Sequence, residues 1–304
     1  MQLVKEGEVI DFLGKRMYAG IFSVILLIGG FVSVLMHQGL NYGIDFRGGT
    51  NIQIRFKEVP NLNQLRDFFS NQNLGNVMLQ TFGAIEDREI LLGLSVDNPL
   101  GTGEKLTSEL REILLTNYPD LEIRRIETIG PKVGDELKTS ALQAIMIALG
   151  LVLIYVTFRF QWRQGVAAII TLLHDVIVVV GIFSIFDKEF TLPVIAALLT
   201  VVGYSLNDTI VIFDRIRENI SKFRQRELLP LINQSVTETL SRTLLTSGTT
   251  LLVVLALFFL GGEIINDFAF ALLIGVLIGT YSSIYVASPT VLWLTKVSPP
   301  KSSD

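Results

Sequence analysis

The sequence predicts a polytopic α-helical membrane protein with six transmembrane helices and a folded α+β domain between the first two. Six apolar windows are each long enough to cross a bilayer, which takes roughly 17 to 25 residues. Half of the 304 residues are hydrophobic and 18% are charged, with a mean hydropathy of +0.51. That balance is far more apolar than in an ordinary soluble domain. The polar residues 41–138 lie between the first and second windows.

The apolar windows divide the chain into three parts. They cover residues 17–36, 141–158, 165–186, 192–213, 243–260 and 268–294. The first follows a charged N-terminus without the small-x-small pattern of a cleaved signal peptide, so we expect it to remain as a span. The expected parts are 1–40 with span one, an outer domain at 41–138, and 139–304 with spans two to six.

Basic residues in the short loops predict that both termini are cytoplasmic, because such residues are retained on that side of the membrane. One side of the topology carries Lys5, Lys15, Arg16, Arg159, Arg163, Arg215, Arg217, Lys222, Arg224 and Arg226. The short loops on the other side contain one basic residue, Lys188. Residues 214–242 are therefore predicted to form a cytoplasmic loop, and residues 41–138 a periplasmic domain.

The composition also excludes several kinds of site. The chain has no cysteine, which rules out disulfides and thiolate metal sites. Its formal net charge of −4 provides no basic field, which argues against nucleic acid as a partner. We expect no metal, no bound cofactor and no enzymatic activity.

Residues 41–138 are predicted to fold as a ferredoxin-like βαββαβ domain. Alternation of apolar and polar residues is typical of half-buried strands, and two amphipathic stretches have helical spacing. Strands are expected at 51–56, 76–83, 89–96 and 121–129, and helices at 61–75 and 107–120. The preceding GIDFRGGT reads as a glycine-rich turn shaped by Gly48 and Gly49.

Span four contains Asp208, and an ionisable residue at a helix centre costs about 2.5 to 3.5 kcal/mol on insertion scales. It lies seven residues before Arg215, which is about 10 Å of helix. Removal from water favours the neutral acid and a nearby cation favours the carboxylate, so this residue suits a proton carrier. The alternative is a packing aspartate bonded to a hydroxyl or backbone group. Asp208 is expected to share one polar stripe, which should face other helices rather than lipid, with Thr200, Gly203 or Tyr204, and Asn207.

Span five begins with its only cation, Arg242, on one face with three threonines. One interpretation is a basic residue at a cytoplasmic helix end that pairs with Glu238 one turn earlier. The other is that Arg242 extends towards Asp208, since antiparallel spans four and five place both residues in the cytoplasmic half. Both interpretations stay open at this point.

Span three places His174 and Asp175 near its middle. Because adjacent residues on a helix do not face each other, they are not expected to form a simple pair. A titrating role for either residue competes with a packing role.

Span six carries a stripe of small residues at a spacing of four, on which another helix can pack closely. The stripe consists of Ala271, Gly275, Gly279, Ser283 and Ala287. Span one and a second protein are both open as its partner.

Several long motifs resemble the SecF members of the SecD/SecF family. They are GIDFRGGT after span one, IGPKVGDEL before span two, LLHDVIVVVGIFSIF in span three, GYSLNDTIVIFDRIREN in span four and SRTLLTSGTTLLVVLALFFLGG in span five. They occur in order over nearly the whole chain. The resemblance implies a transmembrane part like half of the RND transporter fold, located in a bacterial cytoplasmic (inner) membrane.

The resemblance further implies a role in protein export. A SecF-type subunit would form a complex with SecD beside the SecYEG channel, with YajC and YidC as further candidate partners. It would use the proton motive force to promote late steps in the export of unfolded polypeptide. In the family, the aspartate of GYSxND and the arginine that opens span five share a proton path with an aspartate of SecD, and in this sequence they are Asp208 and Arg242. Asp175, His174 and Asn207 are secondary candidates, and these residue types do not distinguish a proton gradient from a sodium gradient.

The expected mechanism is electrostatic. Charged Asp208 attracts Arg242, and protonation removes that attraction so that a second packing of the helices competes. Three rival functions remain: an intramembrane aspartyl protease with Asp175 and Asp208 as its dyad, an RND-type half-transporter that exports a small molecule or lipid, and a structural scaffold.

Overall fold

A computed structural model of the protein describes residues 8–72, 74, 77–82, 85–96, 104–160, 162–223 and 227–297. In this part of the chain, six helices are long and apolar enough to cross a membrane. Each overlaps one of the six apolar windows, so the predicted spans are confirmed. The basic positions Lys5, Arg224 and Arg226 lie outside the described residues.

The helices and strands follow the predicted order. The first half contains α1 (Arg16–Met36), α2 (Ile44–Arg47), β1 (Gly49–Arg55), α3 (Leu62–Ser70), β2 (Val77–Phe82), β3 (Glu89–Ser95), α4 (Glu104–Asn117) and β4 (Glu122–Ile129). The second half contains α5 (Pro131–Arg159), α6 (Trp162–Ile185), α7 (Leu192–Lys222), α8 (Leu228–Leu260), α9 (Glu263–Ser282) and α10 (Ser288–Val297). A π-helical turn at Ser283–Ala287 joins α9 to α10 within the sixth span.

Three of the membrane helices extend beyond their apolar windows. α5 begins at Pro131, directly after the extended backbone of Gly130, because proline is pre-organised for the first helical position. α7 continues to Lys222 and α8 begins at Leu228. The described residues of the segment 214–242 are therefore largely helical, which the sequence did not indicate. Helix propagates through polar residues that a hydropathy window leaves out.

The outer domain is built on a four-stranded antiparallel sheet in the order β2-β3-β1-β4. Its core lies between one face of this sheet and the helices α3 and α4, which confirms the predicted ferredoxin-like arrangement. The central core side chains are Ile52, Ile54, Leu65, Phe69, Leu92, Leu94, Leu106 and Leu110. The opposite face is polar, and Gln53 and Gln80 line a cavity of about 250 Å³ together with Glu189 and Asp267 of the membrane part.

The glycine-rich turn after span one contains a short helix, α2, followed by two glycines with positive φ. Gly48 has φ 75° and Gly49 has φ 146°, which L side chains rarely adopt. A Cβ on Gly48 would also lie 3.0 Å from both the Ile129 carbonyl oxygen and the Pro131 nitrogen. The two glycines therefore let β1 start beside the junction of β4 with α5.

The base of the outer domain is hydrogen-bonded to the loop between α6 and α7. Phe190 donates its backbone N–H to the Asn41 carbonyl at 2.7 Å, and Gly43 donates to the Phe190 carbonyl at 3.0 Å. Asp45 accepts a bond from the backbone N–H of Leu192, the first residue of α7, at 2.9 Å. Because Asp45 satisfies a free N–H at the start of α7, the outer domain and this helix are directly connected.

The small residues of α9 pack against α7. A Cβ on Gly275 would collide with the side chain of Val201, and one on Gly279 would lie 3.0 Å from the Cβ of Ser205. The stripe in span six therefore contacts span four, which was neither of the two partners left open by the sequence.

Residues 8–15 run along the N-terminal part of α8, a contact that neither hydropathy nor a motif predicted. Leu13 is buried, and its backbone N–H donates to Asn233 Oδ1 at 2.9 Å. Asn233 in turn donates to Asp11 Oδ1 at 2.8 Å, and the Ile10 N–H donates to Thr237 Oγ1 at 3.1 Å. We call Ile10, Asp11, Leu13, Asn233 and Thr237 the N-terminal clasp.

Candidate proton-relay site

Asp208 is buried inside the helical bundle, with 2% of its surface exposed. It lies on the part of α7 that packs against α8 and α9. Ser247 of α8 donates its hydroxyl to Asp208 Oδ2 at 3.3 Å, and Thr280 of α9 donates to Ser247 Oγ at 2.7 Å. The carboxylate is thus held by a neutral hydroxyl chain from two other spans. Such a chain binds the charged and the neutral acid alike, because a hydroxyl can either donate or accept.

Arg242 does not close an ion pair on Asp208 among the described residues. Its side chain is exposed in this single chain, while its charge acts on the Asp208 carboxylate at longer range. The separation leaves the carboxylate without a fixed counter-charge. Protonation of Asp208 therefore breaks no salt bridge among the described residues.

The pairing of Arg242 with Glu238, one of the two sequence interpretations, is not found. Glu238 accepts bonds from Arg215 Nε at 2.5 Å and from Asn219 Nδ2 at 2.8 Å, both on α7. Gln234 also donates to it at 2.9 Å. Because Glu238 is bonded to these partners, Arg242 does not form the ion pair with it that the first interpretation predicted.

The predicted polar stripe on α7 divides into two faces. Asp208 is buried, but Thr200, Gly203 and Asn207 are exposed in the single chain. The stripe is predicted to face other helices rather than lipid. Of these four residues, Asp208 alone is buried by helices of this chain, because residues at a spacing of four drift around a helix of 3.6 residues per turn. Asn207 is next to Asp208 in sequence and is exposed in the single chain.

His174 and Asp175 form a direct hydrogen bond, although a simple pair was not expected. Nδ1 of His174 lies 2.9 Å from Asp175 Oδ1. The rule about adjacent helical residues concerns the directions of the Cβ atoms, whereas an imidazole can fold back so that Nδ1 reaches the next side chain. Asp175 is 1% exposed and also accepts bonds from Ser205 Oγ at 2.6 Å and Ser282 Oγ at 2.8 Å.

The two buried carboxylates have separate hydrogen-bond partners. Asp208 is bonded to α8, whereas Asp175 is bonded to a serine of α7 and a serine of α9. Among the described residues no hydrogen bond joins Asp175 to Asp208. An aspartyl protease dyad shares a proton between its two carboxyl groups, and this geometry does not provide that contact.

Serine and threonine side chains complete the site, and sequence reasoning did not select most of them. Ser205, Ser247, Thr280 and Ser282 are the direct or indirect partners of the two carboxylates. Two further hydroxyls, those of Thr209 and Thr243, are buried without a partner among the described residues. Single hydroxyls are common in membrane helices, so only the three-dimensional packing distinguishes these from the rest.

These features define a class of protein: a multi-pass helical membrane protein with a ferredoxin-like domain after its first span and a buried, hydroxyl-bonded carboxylate in its fourth. Comparison with known proteins is in agreement. Residues 109–297 match the family model "Protein export membrane protein SecD/SecF, C-terminal", and residues 33–58 match "SecD/SecF GG Motif". The chain belongs to the SecD/SecF family of protein export membrane proteins, among its SecF members.

Individual relatives match almost end to end. The protein translocase subunit SecF of Desulfurispirillum indicum is 48% identical over 284 residues, covering 92% of this chain and 90% of the relative. SecF of Vibrio alginolyticus is 45% identical, and the match covers 96% of this chain and 92% of the relative. A crystal structure of SecDF from Thermus thermophilus, described as a translocon-associated membrane protein, has a TM-score of 0.84 at 39% identity. This chain is covered to 97% but spans only 40% of that SecDF chain.

Proposed function

We propose that this protein is a non-enzymatic SecF subunit that works with SecD and uses the proton motive force to promote late steps of protein export across the bacterial inner membrane. The observation that carries the proposal is Asp208, a buried carboxyl group in a membrane span held by one neutral hydroxyl. Burial of such a group in a membrane span costs free energy, so ionisable residues there are rare and mark functional sites such as proton relays.

The supporting geometry suggests how a proton is converted into motion. Charged Asp208 is attracted by Arg242 on α8, so α7 and α8 favour one arrangement. Protonation removes the attraction, and a second arrangement then competes. Because Asp45 of the outer domain accepts a bond from the first residue of α7, a shift of this helix reaches the outer domain.

An open polar face within the membrane supports the assignment of a partner. Thr200, Gly203 and Asn207 of α7 and Arg242 of α8 are exposed in the single chain. Polar groups in hydrocarbon are expensive, so this face fits a second membrane protein better than lipid. The solved SecDF chain is more than twice as long as this one, which is consistent with a SecD half supplied separately.

Wider partners and topology belong to the same proposal. The SecYEG channel would deliver the unfolded polypeptide, with YajC and YidC as additional partners. Lys15 before α1, Arg16 at its first position and the basic end of α7 support cytoplasmic termini, while Lys188 is the basic residue of the opposite loop. The ferredoxin-like domain then faces the periplasm.

The test is export in inverted membrane vesicles that contain this chain, SecD and SecYEG. We expect Asp208→Asn to abolish the stimulation of export by an imposed proton gradient, because an amide cannot take up a proton at this position. The matched control is Asp214→Asn, the same change six residues along α7, where the carboxylate is exposed beside Arg159 and Arg217.

Three results would oppose the proposal. Undiminished gradient-stimulated export by Asp208→Asn would remove the proton role. Stimulation by a sodium gradient alone would replace the coupling ion. Gradient-driven flux of a lipid or small molecule, without stimulated export, would favour the RND-type half-transporter instead.

A further inference from the structure

A continuous chain of polar side chains runs through the bundle from α7 to α1. It starts at Ser205 of α7, whose hydroxyl donates to Asp175 Oδ2 at 2.6 Å. Asp175 Oδ1 is bonded to His174 Nδ1 at 2.9 Å, and His174 Nε2 lies 3.1 Å from Ser23 Oγ of α1. Ser23 Oγ is 3.0 Å from the hydroxyl of Tyr281 in α9. Four of the six spans are therefore joined by one set of hydrogen bonds.

Asp175 is the junction of this polar chain. Both of its oxygens are bonded, since Oδ2 also accepts from Ser282 of α9 at 2.8 Å. Asp175, Ser205 and Ser282 are all fully buried. Ser282 immediately precedes the π-helical turn, and such turns are common where a helix departs from regular packing for a functional contact.

The hydrogens of the polar chain can be arranged in two directions. With Asp175 charged and His174 neutral, His174 donates from Nδ1 and Ser23 donates to Nε2, so the Ser23–Tyr281 contact has no hydrogen while Tyr281 donates to the Ala19 carbonyl. With a protonated carboxyl group or an amide at position 175, that group donates to Nδ1 of His174. His174 then donates from Nε2 to Ser23, and the Ser23 hydroxyl donates to Tyr281. Tyr281 ends the chain by donating to the Ala19 carbonyl at 2.6 Å. An asparagine at position 175 satisfies the second direction, because its oxygen accepts from both serines and its NH₂ group donates to His174.

The position of the polar chain connects the Asp208 site with the outer domain. Ser205 and Asp208 are three residues apart on α7, which is within one helical turn, so they move together. At the other end, α1 leads through residues 37–43 into the base of the outer domain. Gly30 and Gly181 cross so closely that a Cβ on Gly30 would lie 2.6 Å from the Gly181 Cα, which leaves α1 and α6 little freedom to slide independently.

We propose that Asp175 is a positioning residue whose hydrogen bonds transmit movement of α7 to α1, and hence to the outer domain, without itself carrying the transported proton. This inference rests on the proposed function of Asp208. It assigns different roles to the two buried carboxylates: Asp208 changes charge, and Asp175 holds the helices that respond. A coupling route needs a direct measurement of coupling, because a chain of contacts alone does not establish one.

The experiment uses the absence of cysteine in the chain. Ser108→Cys, at an exposed position of α4 whose hydroxyl bonds only to its own helix at Lys105, provides a single fluorophore site on the outer domain. The labelled protein is reconstituted with SecD, and the change of signal on imposing a proton gradient is measured. We expect Asp175→Asn to keep the response and Asp175→Leu to lose it while still assembling with SecD.

A matched control and a double variant complete the design. Ser184→Ala removes a different α1–α6 hydrogen bond, the 2.9 Å contact with Ser33, and should keep the response. The double variant Asp208→Asn with Asp175→Leu should lose no more than Asp208→Asn alone, because both changes interrupt one route.

Two results would overturn the assignment. If Asp175→Asn loses the response as Asp208→Asn does, Asp175 carries charge rather than positioning helices. If Asp175→Leu keeps the response, the polar chain is not the route. Should Asp175→Leu fail to assemble, Ser205→Ala combined with Ser282→Ala decides the question in the same way. If Asp208→Asn keeps the response, the proposed function of Asp208 is contradicted. That result differs from the two above, which concern Asp175 alone.

Discussion

Asp208 and Asp175 show how the same residue type acquires different properties from its partners. Asp208 has one hydroxyl donor at 3.3 Å, whereas Asp175 has two shorter hydroxyl donors and a histidine. Each additional donor stabilises a fixed arrangement, so Asp175 is tied to its neighbours more firmly than Asp208. The loosely held carboxylate is the better place for a reversible change of charge.

Glu189, in the loop between α6 and α7, is a third acidic residue with an altered environment. Burial raises the pKa of its carboxyl group, and the nearby charges of Asp267 and Asp45 raise it further, while Arg47 opposes them. The group faces the cavity between the sheet and the membrane part. A raised pKa in the folded state means that this group stabilises the fold at low pH, and that the contribution is lost as pH rises through the raised pKa.

We therefore predict that Glu189→Gln increasingly stabilises the protein as pH rises through the raised pKa of Glu189, because the wild-type carboxylate then becomes charged beside Asp267 and Asp45. The difference should vanish at low pH, where Glu189 is protonated. Thermal unfolding across a pH series measures it. Glu112→Gln, the same change at an exposed site on α4, is the control, and an equal pH-dependent difference there would contradict the explanation.

At the scale of elements, α9 packs tightly on α7. Gly275→Ala should destabilise the fold by about 1 to 3 kcal/mol, as expected for overpacking of a filled site. The cause is the collision of the new methyl group with Val201, which is itself buried. Gly150→Ala in α5, where a Cβ meets no atom within 4 Å, is the matched control and should be neutral or slightly stabilising. Equal thermal unfolding of the two variants in detergent would refute this account of the stripe.

The helices and strands could be predicted from the sequence because the patterns that indicate them are local. Hydropathy located six spans, and alternation located four strands, since each pattern reflects the face that an element buries. The helical extensions of α7 and α8 were missed because their polar ends resemble a loop in a hydropathy window. Asp208 was selected because an ionisable residue is conspicuous in a span. Its partners Ser247 and Thr280 were not, because neither their type nor their spacing distinguishes them from other hydroxyl residues.

At the scale of the whole molecule, the outer domain is connected to the membrane part at several places. Asp45 bonds to the start of α7, and the glycine turn at Gly48 sets β1 beside the start of α5. At the opposite end, the N-terminal clasp ties the residues before α1 to α8. Both helices of the proposed relay, α7 and α8, are therefore linked to segments that lead to the outer domain.

Asn233→Ala should loosen the N-terminal clasp. The variant leaves the buried N–H of Leu13 without its acceptor, which costs about 1 to 3 kcal/mol. Thermal unfolding and the rate of proteolysis within residues 8–15 measure the effect. Asn117→Ala, which removes an amide bonded only to its own helix at Ile113, is the control. Unchanged proteolysis in Asn233→Ala would show that this asparagine does not hold the segment.

The central claim is that Asp208 takes up and releases a proton, and infrared difference spectroscopy tests it most directly. The protein is reconstituted with SecD, and spectra are recorded as pH is lowered. Every variant shows bands from the other carboxyl groups as pH falls; we predict one further protonated-carboxyl component that the wild type, Asp175→Asn and Asp214→Asn share and that is missing from Asp208→Asn. An identical band in Asp208→Asn would show that another group titrates, and would contradict the proposed role of Asp208.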